Sequence, residues 1–143
     1  MLSMFKRKKR EAQAAVAVMT NRDLMQAVVF GAFYVAAADG DLSAAEMAKL
    51  EKLISNTPEL KGFGPELGNT MDLAEKAFTE GGARILRQRA EKELADLAHS
   101  PTDAVTVINI MLTIADEDGI GAEEMVILEK SAKIMGLNLK DYL

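Results

Sequence analysis

From residue 24 to residue 38 the chain reads LMQAVVFGAFYVAAA, and only Gln26 and the Tyr34 hydroxyl interrupt its apolar character. A helix with this composition has no polar face and belongs inside a bundle. It is also too short to cross a bilayer. A second run of the same kind, AVTVINIMLTIA, covers residues 104–115. Elsewhere apolar positions recur at helical spacing, and no segment shows the strict alternation of a half-buried strand. The pattern predicts an all-α, single-domain bundle of about seven helices.

Punctuation residues place the boundaries. A first, Ala-rich helix is predicted over about 8–19, and a second begins near Asn21, with Thr20 as its cap and Asp23 at the favourable end of its dipole, and runs to about Ala38. The third spans Ser43 to about Asn56, where Thr57-Pro58 stops it, and Lys61-Gly62-Phe63-Gly64-Pro65 reads as a turn. A fourth helix over roughly 66–79 ends at Gly81-Gly82. A fifth over roughly 83–98 sets Leu86, Ala90, Leu94 and Leu97 on one face. Ser100-Pro101 supplies a cap and a first-turn proline for the sixth, and the seventh runs from about Ala122 to Met135, closed by Gly136 in a left-handed conformation. Asn138 to Leu143 forms a short final segment.

Composition narrows the function classes. The chain has 143 residues, 49% of them hydrophobic, which suffices for a real core. It has no cysteine and one histidine, His99, so disulfides, thiolate chemistry and Cys/His zinc sites are excluded. Net charge is −5, unevenly spread: Lys6, Arg7, Lys8, Lys9 and Arg10 give the first ten residues +5, which leaves 12 basic against 22 acidic residues in the remainder, or −10. Nucleic acid is not expected as a partner of so acidic a body. The polar breaks after the basic run argue against an export signal. The expected location is the cytoplasm. Beside Met1, Leu2, Met4 and Phe5, the basic run permits at most weak contact with the inner face of a membrane.

An acidic turn occurs twice. ADGDLSAAEMAKLEK at 38–52 and EDGIGAEEMVILEK at 117–130 each end an apolar helix and open an amphipathic one. Aligning Glu46-Met47 with Glu124-Met125 also aligns Leu50, Glu51 and Lys52 with Leu128, Glu129 and Lys130, and a one-residue gap brings Asp39-Gly40 onto Asp118-Gly119. The bundle is therefore expected to carry an internal pseudo-twofold repeat, with two carboxylate-rich turns meeting near its axis. Neither turn makes an EF-hand. With Gly40 at the sixth position, Val35 and Ala37 occupy the first and third; with Gly119 there, Ile114 and Met125 occupy the first and twelfth. A bound cation has to draw carboxylates from both turns or keep several waters.

Part of the acidity has ordinary work. Ser43-x-x-Glu46 is a capping box, Gly121 and Glu124 hold the same two positions, and Asp41 and Glu123 are acidic residues near helix N-termini. Capping does not call for Asp116, Glu117 and Asp118 in a row at a helix C-terminus, where the dipole disfavours negative charge.

The apolar helix ending in Ala-Asp-Gly, the hydrophobic-Ser-x-x-Glu helix start, their recurrence after roughly 80 residues and the closing Met135-Gly136-Leu137 resemble the tellurite resistance protein TerB and TerB-like domains. The second copy, IADEDGIGAEEMVILEKSAKIMGL, is the nearer match. The resemblance starts near residue 20 and implies a TerB-like helical domain over 20–143, which leaves 1–19 as a basic N-terminal helix outside it. It also implies a seven-helix bundle whose acidic turns form a metal-binding face. Carried over by position, it points to Asp39, Glu46, Asp118 and Glu124, with Asp41, Asp116 and Glu123 as neighbours. A ligand set of carboxylates alone favours a hard divalent cation, calcium first, with magnesium and manganese as alternatives.

No nucleophile has a visible base, and His99 is read as a partner of its helix C-terminus, so an enzyme is not expected. Most of the nine methionines, with Phe30, Phe33 and Tyr34, are read as core. Two functions stay open. One is a cation-binding domain of tellurite resistance or a related stress response; the other is a metal-free interaction module that recruits other proteins of a stress-response, chaperone or membrane-associated complex.

Overall fold

The computed structural model describes residues 22–143, apart from the side chain of Asp118. Five α-helices and no strand are present among the described residues. They are α1 (22–36), α2 (Ala44–Ser55), α3 (Pro65–Ala95), α4 (Pro101–Ala115) and α5 (Ala122–Ile134). Short 3-10 turns occupy Pro58–Leu60, Asp116–Asp118 and Leu139–Asp141. The helix expected over 8–19 and the Thr20 cap lie outside the described residues.

Helix α1 lies inside the bundle, as a helix without a polar face must. Met25, Ala27, Val28, Val29, Phe30, Ala32, Phe33 and Val35 are all essentially inaccessible. Each large side chain among them contributes about 1.5–3 kcal/mol by leaving water. Gly31 has a specific reason to be glycine: a Cβ there meets the Met111 sulfur at 2.9 Å and Leu94 at 3.5 Å, so the bare backbone lets α1 approach α4 and α3 closely. Helix α4 is apolar in sequence but less enclosed. Ala104, Val107, Ile108, Met111 and Ala115 are buried, whereas Asn109 and Thr113 face solvent.

The helix ends follow their local chemistry. Ser43 caps α2, its Oγ accepting the Glu46 N–H at 3.2 Å while the Glu46 carboxylate accepts the Ser43 N–H. Helix α5 closes with Gly136 at φ 78°, the Gly136 N–H donating to the Lys133 carbonyl and the Leu137 N–H to the Ala132 carbonyl, which is a Schellman ending. Ser100 stands at the start of α4, but its side chain makes no capping bond.

The boundary at the glycine pair falls where the sequence puts it: α3 runs through the pair but is broken into two helical segments at Gly82, whose φ of 74° and ψ of −176° are not helical. A side chain on Gly81 would stand 2.5 Å from the Ile85 Cβ, so the chain packs too closely after the break for anything but glycine there. The predicted stripe is intact, with Leu86, Ala90, Leu94 and Leu97 buried.

Helix α2 packs on α3 through an acidic contact. Burial, then the hydrogen bond and charge of Glu75 and the charge of Asp72, push the Glu51 carboxyl above its ordinary value of 4.5, and its Oε1 is buried without a hydrogen-bond partner. A raised folded-state pKa means that the folded chain holds this proton more tightly than the unfolded chain. The resulting cost to stability is absent below the unfolded value, grows between the two values and is complete above the folded one.

Two outcomes follow for unfolding measured in denaturant. Gly31→Ala should change stability by no more than about 1 kcal/mol, since better helix propensity offsets the displacement of Met111, whereas Gly31→Leu should lose at least about 2 kcal/mol by overpacking. Glu51→Gln should stabilise the chain at pH 7, and the gain should vanish below the ordinary carboxylate range.

Candidate functional site

The two apolar helices deliver their acidic turns to the same rim. After α1, Gly40 turns the chain with φ 85°, the Asp39 carboxylate accepts the Asp41 N–H at 3.0 Å and the Asp41 carboxylate accepts the Leu42 N–H at 2.9 Å. After α4, the 3-10 turn Asp116–Asp118 leads to Gly119, which also has φ 85°. Each turn then enters a helix in the same way. Ser43 (φ −68°, ψ 162°) and Gly121 (φ −76°, ψ 167°) occupy the N-cap, and the glutamate three residues on accepts the N-cap N–H, at 3.4 Å for Glu46 and 3.0 Å for Glu124. The second box is half of the first, since Gly121 has no side chain to return the bond.

Between the turns lies a cleft of about 200 Å³. Its apolar wall comes from the ends of the two buried helices, Ala36 on one side and Ile114 and Ala115 on the other, together with Leu50 and Leu53 of α2. Its polar lining is Glu46, Lys49, Glu117 and Glu124. Lys49 spans the two turns: its Nζ lies 2.7 Å from the Glu117 carboxylate, joining α2 to the turn that follows α4. Both partners remain substantially exposed, at 60% and 42% of the side chain, so the pair contributes at most about 1 kcal/mol. Three carboxylates against one ammonium leave the cleft with a local charge of −2.

The predicted site residues divide accordingly. Glu46 and Glu124 line the cleft, one from each turn. Asp39 and Asp41 are exposed and hydrogen-bonded within their own turn, Glu123 is exposed at the start of α5, and Asp116 is exposed and lines a separate hollow with Ile120 and Tyr142. The Asp118 side chain is outside what is described. Among the described residues, no group of three or more Asp, Glu or His side chains is close enough together to hold a metal ion. Two cleft residues were not among those predicted. Glu117 was visible as part of the unexplained acidic run, whereas Lys49 shows only as a position three residues after Glu46 on the same face of α2.

A second polar cluster joins three helices on another side of the bundle. The Tyr34 hydroxyl donates to Glu91 at 3.1 Å, and the Lys130 ammonium lies 2.8 Å from the same oxygen. Burial raises the Glu91 carboxyl, but hydrogen bonds from Lys130 and Tyr34 and the charges of Lys130 and Arg87 outweigh it and hold the group below its usual range. Burial, followed by the charge and hydrogen bond of Glu91, pushes the Tyr34 hydroxyl far above the ordinary phenol range against the opposing charge of Arg87. This tyrosine stays protonated and acts as a donor.

No described helix is long and apolar enough to cross a membrane. Nothing among curated proteins or solved structures matches the chain. The family model for tellurite resistance protein TerB matches residues 25–143, from the first turn of the buried helix to the last residue, and takes in both acidic turns. The chain therefore belongs to the TerB family.

Proposed function

We propose that this TerB domain is a non-enzymatic binding domain that takes a divalent cation into the cleft between its two acidic turns and acts in tellurite resistance or a related stress response. The observation that carries this reading is the position of Lys49, whose ammonium sits against Glu117 in a cleft that Glu46 and Glu124 also line. A site that accommodates a tethered positive charge, is over-supplied with carboxylates and closes with a weak surface pair has the chemistry of an exchangeable cation site. The donors are oxygens alone, so hard cations fit, with calcium first and magnesium or manganese as alternatives. Glu117, Glu46 and Glu124 are not gathered closely enough to hold an ion as they stand; they would have to draw in round it or reach it through waters, and Asp39, Asp41, Asp116, Asp118 and Glu123 would add to the field around it. The matched glycine conformations and matched glutamate caps support reading the turns as a pseudo-twofold pair.

Lys49 and the ion compete on this reading. Glu46 and Glu124 each commit one oxygen to a helix cap, so a cation uses the remaining oxygens and displaces the ammonium from Glu117. A second reading has one observation in its favour: Lys49 already neutralises Glu117, which suits a metal-free module that engages other proteins of a stress-response or membrane-associated complex.

Thermal unfolding with calcium, magnesium or manganese separates the two. At a hundredfold excess over Kd, a specific ion stabilises by about 2.7 kcal/mol, or roughly 5–10 °C for a domain of this size. Lys49→Met should enlarge the shift at a given ion concentration, and Glu117→Gln combined with Asp118→Asn should remove it. An unchanged melting temperature with all three ions contradicts the cation reading and leaves the interaction module.

A further inference from the structure

The Tyr34–Glu91–Lys130 cluster borders a second cleft, of about 530 Å³, whose charge is opposite to that of the first. Its wall is largely apolar, built from Ala37 at the end of α1, Leu86 of α3, and Val126 and Ile127 of α5. Val126 is 63% exposed there and offers apolar surface to a bound group. Three cations line the same space: Arg84 and Arg87, one turn apart just after the break at Gly82, and Lys130 from α5.

The arrangement is a local reversal of charge. Beyond its first ten residues the chain carries a net −10, yet here three cations face a single ion-paired carboxylate, Glu91, which is already shared between Lys130 and the Tyr34 hydroxyl. Arg84 and Arg87 make no ion pair within 4.0 Å among the described residues. Asp39 and Asp41 flank Gly40 at the edge of the cleft, but each turns a carboxylate oxygen to a backbone N–H of its own loop. Two guanidinium groups outside any close ion pair, of which Arg87 also favours the Glu91 carboxylate by its charge, stand beside an ammonium and an exposed apolar surface and match a doubly charged oxyanion on an apolar body. Guanidinium forks bind such oxygens in pairs.

We propose that this cleft binds a phosphate monoester, with the dianionic head on Arg84, Arg87 and Lys130 and the organic group against Val126 and Ile127. The site is independent of the cation cleft, so either can fail alone. A soluble ester and the headgroup of a phosphatidic-acid-type lipid present the same chemistry.

The test uses the full chain, isotope-labelled, at low salt. Phenyl phosphate should shift the amides of residues 83–87 and 126–130 saturably. Inorganic phosphate, which lacks the apolar body, should act at roughly tenfold higher concentration, equivalent to one or two buried methylene contacts. Arg84→Gln with Arg87→Gln should weaken phenyl phosphate binding by at least about tenfold; both side chains are exposed, and retained spectral dispersion confirms folding. Val126→Asp should block the cleft by repulsion, whereas Lys133→Gln, elsewhere on α5, should leave binding unchanged. Sedimentation with vesicles of phosphatidylcholine with and without phosphatidic acid identifies a lipid source if the acidic vesicles bind and the arginine variant does not. The proposal is overturned if phenyl phosphate gives no saturable shift up to about 10 mM, the weak limit for a defined site, or if Lys133→Gln weakens it as much as the double variant.

Discussion

The rest of the fold depends on one constraint: α1 is apolar on every side and must be surrounded. Phe30, Phe33, Met25 and Val28 have no solvent-facing alternative, so the other helices pack round them, and Gly31 sets how closely α4 can approach. Helix α4 carries the second apolar run and ends at the same rim. Ala36 from one helix and Ile114 and Ala115 from the other line a common cleft, and the hydrophilic turns leaving both helices therefore emerge side by side. The acidic site is thus a consequence of core packing, since burying two featureless helices places their charged exits together.

Charge at that rim serves two purposes. Glu46 and Glu124 satisfy free backbone N–H groups at the starts of α2 and α5, work that each glutamate does whether or not a ligand is bound. Glu117 caps nothing; it projects from a 3-10 turn at the C-terminal end of α4, where the helix dipole opposes it. Lys49 offsets that placement from across the cleft. An exposed ion pair is a weak bond and a mobile counter-charge, which suits it to exchange with a more highly charged cation.

Much of the helical outline was legible because helix ends are local chemistry. The Ser43-x-x-Glu46 box, the proline after Ser100 and Gly136 each act within a turn of their own position, and the boundaries they mark are those observed. Gly81-Gly82 marks a helix break in the same local way, and the non-helical Gly82 stands there, with a helical segment on either side as expected. The cleft does not share that locality. Glu46 and Glu124 were recognisable from their place in a repeated pattern, whereas the pairing of Lys49 with Glu117 depends on how α2 is rotated against the end of α4. That rotation is set by Met47, Leu50 and Ile54 entering the core. The cationic cleft was illegible for a related reason: Arg84 and Arg87 lie on α3 and Lys130 on α5, far apart in sequence, and only the packing of the two helices brings them to one cleft.

Paramagnetic broadening by manganese tests most directly the claim that both acidic turns serve one cation cleft. With substoichiometric manganese added to the isotope-labelled chain, the expectation is that amides near Glu46, Glu117 and Glu124 broaden first and together, ahead of those around Asp72 and Glu75. Broadening confined to the Glu51–Glu75 contact, or to one turn without the other, would contradict it.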